Sequence, residues 1–460
     1  MEKLGKEYDV VIIGGGITGA GILRDCAMRG LKVLLLEKGD FGGVTTMNSS
    51  LLIHSGLRYI KDDWNETKTC AIECGYVERI ARPFLERIVF LMPFFKGEKI
   101  DFEITDMGLE ACDFIGKDRF TNPHIRLTGK EALRLIPELR KDVIGALTFE
   151  EWEISPQEFV RAHIESAKKF FGAEAERHME VIGFILKNGV VSGVMVQDTG
   201  TKKSAIVWAK IVVNATGPWS GKTARLAGID FKLRPTKGIH LMLDIPIKYG
   251  FALKAIDNRH LLAQPRENKL LIGTTDDDYY GDLDDLKTTA DEEGYILEAL
   301  ERVMPGKSKA PIIKKMVGIR PTIWQWGKTE DKVSRRFVVI DHGATDGLEG
   351  LITVCGGKMT IYRVMAEKTV DIICRKLGIN KPCQTHLVKL LNPTKIRQEE
   401  KWERRVRKYY DTSFILNKKT LPSAGLLIKI QAYGFLALFS IFGLLKKLTG
   451  KNRKGLKYIR

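Results

Sequence analysis

No C-x-x-C pair occurs in this chain. Its seven cysteines lie scattered at 26, 70, 74, 112, 355, 374 and 383. Cys70 and Cys74 can share one helix face, but two thiolates do not complete a tetrahedral site, so no metal centre is expected. The odd, unpatterned set excludes a disulfide framework and reads as reduced thiols of a cytosolic compartment. A signal-peptide pattern is absent as well: Met1 to Glu7 is polar, and the apolar run after it reads as a strand. There is no internal repeat and no low-complexity tract, which removes solenoids and flexible linkers from consideration.

What remains is a 460-residue chain with 44% apolar and 28% charged residues, long enough for two or three domains with a sizeable core. The formal net charge is +17. Residues 391–460 hold 17 Lys and Arg against 4 Asp and Glu, a net of +13, so the first 390 residues carry only +4. The body is nearly neutral, and the basic character belongs to the tail, which should attract something anionic.

The first element reads as a strand over Tyr8 to Ile13. A glycine cluster follows, then a helix to about Arg29 and a second strand over Lys32 to Leu36, ending at Glu37. This β-α-β unit sets an α/β class. Residues 86–145 suggest an inserted layer, and Glu158 to Phe171 shows helical spacing. Val181–Leu186 and Val190–Val196 flank Asn188-Gly189, a hairpin signal. Ile206 to Asn214 reads as a strand, 231–320 as mostly strands with turns, Leu351 to Val354 as a buried strand and Lys358 to Leu377 as a helix.

Gly14, Gly16 and Gly19 form G-x-G-x-x-G between the first strand and its helix. Their spacing allows a tight turn, a close approach of backbone to a pyrophosphate, and helix-on-strand packing. The helix N-terminus offers free N–H groups to phosphates. Glu37 closes the second strand, where a carboxylate accepts from a ribose diol. After it comes a small, hydroxyl-rich stretch containing Thr45, Thr46, Ser49 and Ser50, which suits a second cofactor half better than a continuing NAD domain. The turn Asn214-Ala215-Thr216-Gly217-Pro218-Trp219 is the expected second cofactor contact. FAD is therefore the expected cofactor.

Together these segments resemble the D-amino-acid-oxidase-like flavoproteins. Ser49 to Ile60, Lys237-Gly-Ile-His240, Ile272-Gly-Thr-Thr-Asp276, Gly318-Ile-Arg-Pro321 and Gly356-Gly-Lys-Met-Thr-Ile-Tyr-Arg363 resemble segments of the FAD-linked glycerol-3-phosphate dehydrogenases. The likeness covers about residues 7–390, and over Asp341 to Cys383 is nearest the catalytic chain of the anaerobic type. The cysteine-rich extension of that type is missing, and 391–460 is too short for the helical domain of the aerobic type. The resemblance implies a Rossmann-like, two-dinucleotide-binding-type FAD domain, discontinuous over 1–85, 146–220 and 311–390. A mixed-sheet substrate domain, 86–145 and 221–310, completes the body. It also implies oxidation of glycerol 3-phosphate to dihydroxyacetone phosphate and electron delivery to a membrane quinone. Val181 matches the position whose backbone meets the adenine.

The substrate's phosphate dianion needs convergent cations. Arg320, at its Gly-Ile-Arg-Pro turn, is the first candidate; Arg58 and Arg335 follow, with Arg336 as the alternative to Arg335. By resemblance, Arg320 and Arg335 match phosphate-pocket positions and Arg58 lies near the substrate. His240 is the leading candidate base, since an imidazole titrates in the useful range, and His54 is the second. Gly356, Gly357, Lys358, Met359 and Thr360 open a helix whose N–H groups, with the Lys358 cation, suit negative charge on a reduced flavin. Other substrates of the same superfamily, amines or 2-hydroxy acids, remain open, as does the electron acceptor.

Leu421 to Leu445 carries one charge, Lys429, in 25 residues, and cations follow it. Its uncharged part, Ile430 to Leu445, is 16 residues, short of the roughly 20 that a span needs. The expectation is a monotopic anchor on an anionic lipid surface, at the cytoplasmic face of the membrane. A short span, or docking on a partner subunit, is the alternative. The cations flank an apolar run and lack the aromatic interleaving of a single-strand platform, which argues against nucleic acid. Deleting residues 415–460 should release a dye-reducing enzyme into the soluble fraction and abolish quinone reduction on liposomes. Full-length protein that stays in solution beside anionic liposomes at low salt would contradict the anchor.

Overall fold

The computed structural model describes residues 7–57, 63–115, 123–327 and 336–390. Arg58, Arg335 and the whole tail, with its candidate anchor 421–445, lie outside the described residues.

The first strand, β1 (Glu7–Ile13), is buried on both faces over Val10–Ile12, as a central parallel strand must be. It lies between β2 (Val33–Glu37) and the strand Ser204–Asn214, parallel to both. The helix α1 (Ile17–Met28) connects β1 to β2 and ends at Arg29–Gly30. Among the described residues eight strands make this sheet: the path continues through Leu351–Gly356 to Phe337–Asp341 on one side and Glu174–Arg177 on the other, and the strands Met179–Lys187 and Val190–Asp198 join through Ser204–Asn214. One face is covered by α1 and the helices Pro156–Phe171 and Tyr362–Lys376. The other is covered by the hairpin Met179–Lys187 and Val190–Asp198, whose turn places Asn188 and Gly189 at φ 51° and 74°. Both residues of such a two-residue turn need positive φ, which is why Asn-Gly reads as a hairpin.

Among the described residues a second sheet of ten strands is largely antiparallel, with one parallel pairing between Gly250–Lys254 and Leu85–Phe95. Its boundaries differ from those expected. The strand Val143–Ile154 pairs with Leu85–Phe95, and Ile312–Arg320 pairs with Thr236–Leu243, so both belong to this sheet. Expected boundaries at 146 and 311 cut into or before strands whose partners lie far away in sequence. The helix Ala290–Val303 occupies a region expected to be strands. Its signal was present: Thr289 accepts from Glu292 N, and the Glu292 carboxylate accepts from Thr289 N, a capping box.

Arg363, from the last glycine motif, is a structural residue. It is 4% exposed and donates to Glu73 at 2.8 and 2.6 Å and to Glu367 at 2.7 Å. Removing one partner of a buried pair strands the other charge at a cost of about 3–5 kcal/mol. Arg363→Ala should lower the denaturation midpoint of the holoprotein accordingly, and the double change Arg363→Met, Glu73→Leu should recover most of the loss. Equal stability of the single and double variants would show that Glu73 is not stranded.

Candidate active site

Between the two sheets lies a cavity of about 920 Å³. Gly14 and Gly16 line its floor. Gly14 has φ +108°, and a Cβ there would sit 2.6 Å from the carbonyl oxygen of Ala215. Gly19 lies behind the floor, where a Cβ would stand 1.9 Å from the Gly14 carbonyl oxygen. At Gly16 a Cβ would meet only Thr46 Oγ1, at 3.3 Å, so the backbone there is bare toward the cavity. Glu37 lines the cavity and accepts from Gly15 N and Gly39 N, each at 2.7 Å. These bonds fix the carboxylate and leave lone pairs for a diol.

The hydroxyl-rich stretch also lines the cavity, but its hydroxyls serve the protein. Thr46 Oγ1 accepts from Ile17 N at 3.2 Å, capping α1, and Thr45 donates to the Ile319 carbonyl at 3.0 Å. Ser49 donates to the Thr46 carbonyl, and Ser50 Oγ lies 3.2 Å from His240 Nε2. Val181, Ala215, Gly217 and Trp219 line the same space. Trp219 Nε1 is buried beside the Asp284 carboxylate, and Lys38, 4.7 Å over the indole ring, pairs with the same carboxylate. Gly356, Gly357, Lys358 and Met359 form the far wall. Thr360 is buried behind them, and its hydroxyl accepts from His54 N at 3.0 Å. Cys355 packs here, its thiol pushed up to about 12 by burial.

His240, Arg320 and His54 line the same cavity. Arg320 donates to Asp276 at 3.0 Å, to Thr274 Oγ1 at 3.0 Å and to the Thr275 carbonyl at 3.2 Å. His240 is 4% exposed, with no hydrogen-bond partner for Nδ1. Burial first, and the Arg320 charge second, push its pKa down to about 3, so the ring is neutral. Lys358 is paired with Glu66, both nearly buried. Arg336 is mostly exposed, engaged by Asp63 at 2.9 Å, and outside the cavity lining.

Sequence reasoning missed the carboxylates. Asp276 stands inside a quoted motif, but Glu66 lies 292 residues from Lys358. Glu151, whose carboxylate accepts from Ser55 N at 2.8 Å and Ser55 Oγ at 3.0 Å, carries no local signal.

Bare backbone at Gly16, the start of α1 and a fixed acid at Glu37 suit a dinucleotide. The profile of the DAO family, FAD dependent oxidoreductases, matches residues 9–372. The chain belongs to that family. It is 34% identical over 385 residues to one chain of the anaerobic glycerol-3-phosphate dehydrogenase of Escherichia coli K12, covering 83% of this chain and 69% of that one. It is 35% identical over 387 residues to the aerobic glycerol-3-phosphate dehydrogenase of Bacillus subtilis 168, covering 81% and 68%. The FAD-complexed glycerol-3-phosphate dehydrogenase structure from Bacillus halodurans superposes with a TM-score of 0.69 at 28% identity, covering 88% and 72%.

As an FAD-dependent oxidoreductase the protein should be yellow, with about one FAD per chain. Gly16→Val should fold yet lose its flavin, because the added side chain meets only a hydroxyl of the protein. The flavin-to-protein absorbance ratio reads this. Full occupancy in the variant would remove the pyrophosphate from this loop.

Proposed function

We propose that this chain oxidises glycerol 3-phosphate to dihydroxyacetone phosphate and passes the electrons to a membrane quinone. The observation that carries this reading is the joint presence of Arg320 and His240 at one end of the cofactor cavity. Relatives named for that activity support it.

Bound FAD supplies the hydride acceptor, at N5. Gly14, Gly16 and Glu37 would hold its diphosphate and ribose, and Val181 and the Ala215–Trp219 turn the remainder of that half. Thr45, Thr46, Ser49 and Ser50 shape the wall beside the ring system. The turn Gly356–Thr360, before the helix Tyr362–Lys376, would offer N–H groups to negative charge on the reduced cofactor, with Lys358 already paired to Glu66. Arg320 binds the phosphate, pre-aimed by Asp276, Thr274 and the Thr275 carbonyl. Arg58 and Arg335, outside the described residues, are proposed as further cations for the same dianion.

His240 takes the hydroxyl proton at Nε2, the nitrogen beside the Ser50 hydroxyl, while Nδ1 is buried without a partner. His54 is the second candidate, its backbone held by Thr360. Among the described residues no helix is long and apolar enough to cross a membrane. The tail is proposed as the lipid contact that brings the flavin domain to the quinone.

One observation favours a second reading. Arg320 is the one arginine lining the cavity among the described residues, and one forked guanidinium is what a carboxylate substrate needs. Anaerobic flavin bleaching decides: glycerol 3-phosphate should reduce the flavin, and glycine, L-proline and lactate should not. Arg320→Ala should raise KM for glycerol 3-phosphate by roughly 30-fold or more, given about 2–5 kcal/mol for such a contact, while FAD content stays unchanged. Unaltered kinetics would release Arg320 from this role.

A further inference from the structure

His240 and Arg320 lie on adjacent antiparallel strands, with Thr236 opposite Arg320, Gly238 opposite Gly318 and His240 opposite Met316. The arginine side chain runs back along this register. A Cβ on Gly238 would stand 2.5 and 2.6 Å from the two guanidinium nitrogens, so the charge lies over Gly238, on the side toward His240. The same strand face carries residues 236, 238 and 240, two apart.

The imidazole has little help from elsewhere. Gly273 packs on its ring, where a Cβ would be 2.4 Å from Cδ2, and Met316 is opposite. Ser50 is its only hydrogen-bond partner among the described residues and is uncharged. The charge that lowers its basicity is Arg320, whose guanidinium is paired with Asp276 at 3.0 Å. A proton on His240 is therefore opposed by burial and by a cation whose task is to meet an anion.

We propose that Arg320 and His240 form one electrostatic switch: a dianion seated on Arg320 makes His240 a stronger base, so the phosphate accelerates proton removal as well as holding the substrate. The inference rests on the reading of the site given above. Two negative charges placed against one guanidinium reverse the sign of the local field at the ring, and the low-dielectric wall transmits that reversal. Binding energy of a remote group is thereby expressed in the chemical step.

The test uses the intact holoenzyme under anaerobic conditions and follows flavin reduction by glycerol, which lacks the phosphate. Phosphite dianion in solution should accelerate that reaction about tenfold or more, saturably, relative to chloride at equal ionic strength. Arg320→Gln should lose the phosphite effect. It should also oxidise unactivated glycerol faster than wild type, because the opposing charge is gone, although it handles glycerol 3-phosphate poorly. With histidine-labelled holoenzyme, the resonance missing from His240→Asn should titrate at higher pH when phosphite is present. If glycerol 3-phosphate bleaches the flavin but phosphite changes neither the glycerol rate nor that titration, the switch is wrong and the substrate assignment stands. An Arg320→Gln variant slower than wild type with glycerol alone would also overturn it. Failure of glycerol 3-phosphate itself to bleach the flavin would instead remove the functional reading, and the switch with it.

Discussion

Two strand ends have to touch for this site to exist. β1 ends at Ile13 and Ser204–Asn214 ends beside it, in parallel register from Glu7 opposite Trp208 to Ile13 opposite Asn214. The turns that leave them meet so closely that nothing larger than hydrogen fits on Gly14. Behind that contact, Gly19 lays α1 on the Gly14 carbonyl. The start of the helix is thus pinned to the strand ends, and the bare backbone of Gly16 faces the cavity. Gly16 and the start of α1 take their positions from that approach.

Charge is handled by the same economy of position. Lys358 carries Glu66, Arg320 carries Asp276, and Arg363 carries Glu73. Arg363, 4% exposed, serves the fold, while the first two cations line the cavity. A buried pair is weak evidence of stability, since desolvation consumes much of the Coulombic gain. What it supplies here is direction. A guanidinium held by Asp276, Thr274 and the Thr275 carbonyl has its direction fixed before anything enters the cavity, and pre-oriented charges need no reorganisation to act.

Legibility in the sequence follows this division. The cofactor half is built from local patterns: a strand, a glycine turn, a helix start and an acid within about thirty residues. Gly14, Gly16, Gly19 and Glu37 could be placed because strand–turn–helix geometry is decided by nearest neighbours. Asn188-Gly189 was readable for the same reason. The capping box at Thr289 and Glu292 was equally local, and it was overlooked in a region whose apolar runs looked like strands. Glu151 and Glu66 belong to a different class. Their meaning arises only when Val143–Ile154 and Trp64–Ala81 are packed against residues far along the chain, and no spacing rule reaches that far.

The substrate half is harder to read because its chemistry depends on register. Side chains alternate across a strand, so a slip of one residue between Thr236–Leu243 and Ile312–Arg320 would exchange the two faces of a strand. Ile239, fully buried in the opposite core, would then compete for the place of His240, and Lys237 or Ile239 would stand where Gly238 makes room for Arg320. The motif letters Lys-Gly-Ile-His and Gly-Ile-Arg-Pro contain the parts. The pairing of Gly238 with Gly318 is what aligns them: Gly238, without a side chain, leaves room for the guanidinium, and Gly318 lets the Asn48 carbonyl approach. A sequence can therefore name the histidine and the arginine, while their mutual influence, and the burial that keeps the imidazole neutral, exist only in the folded sheet.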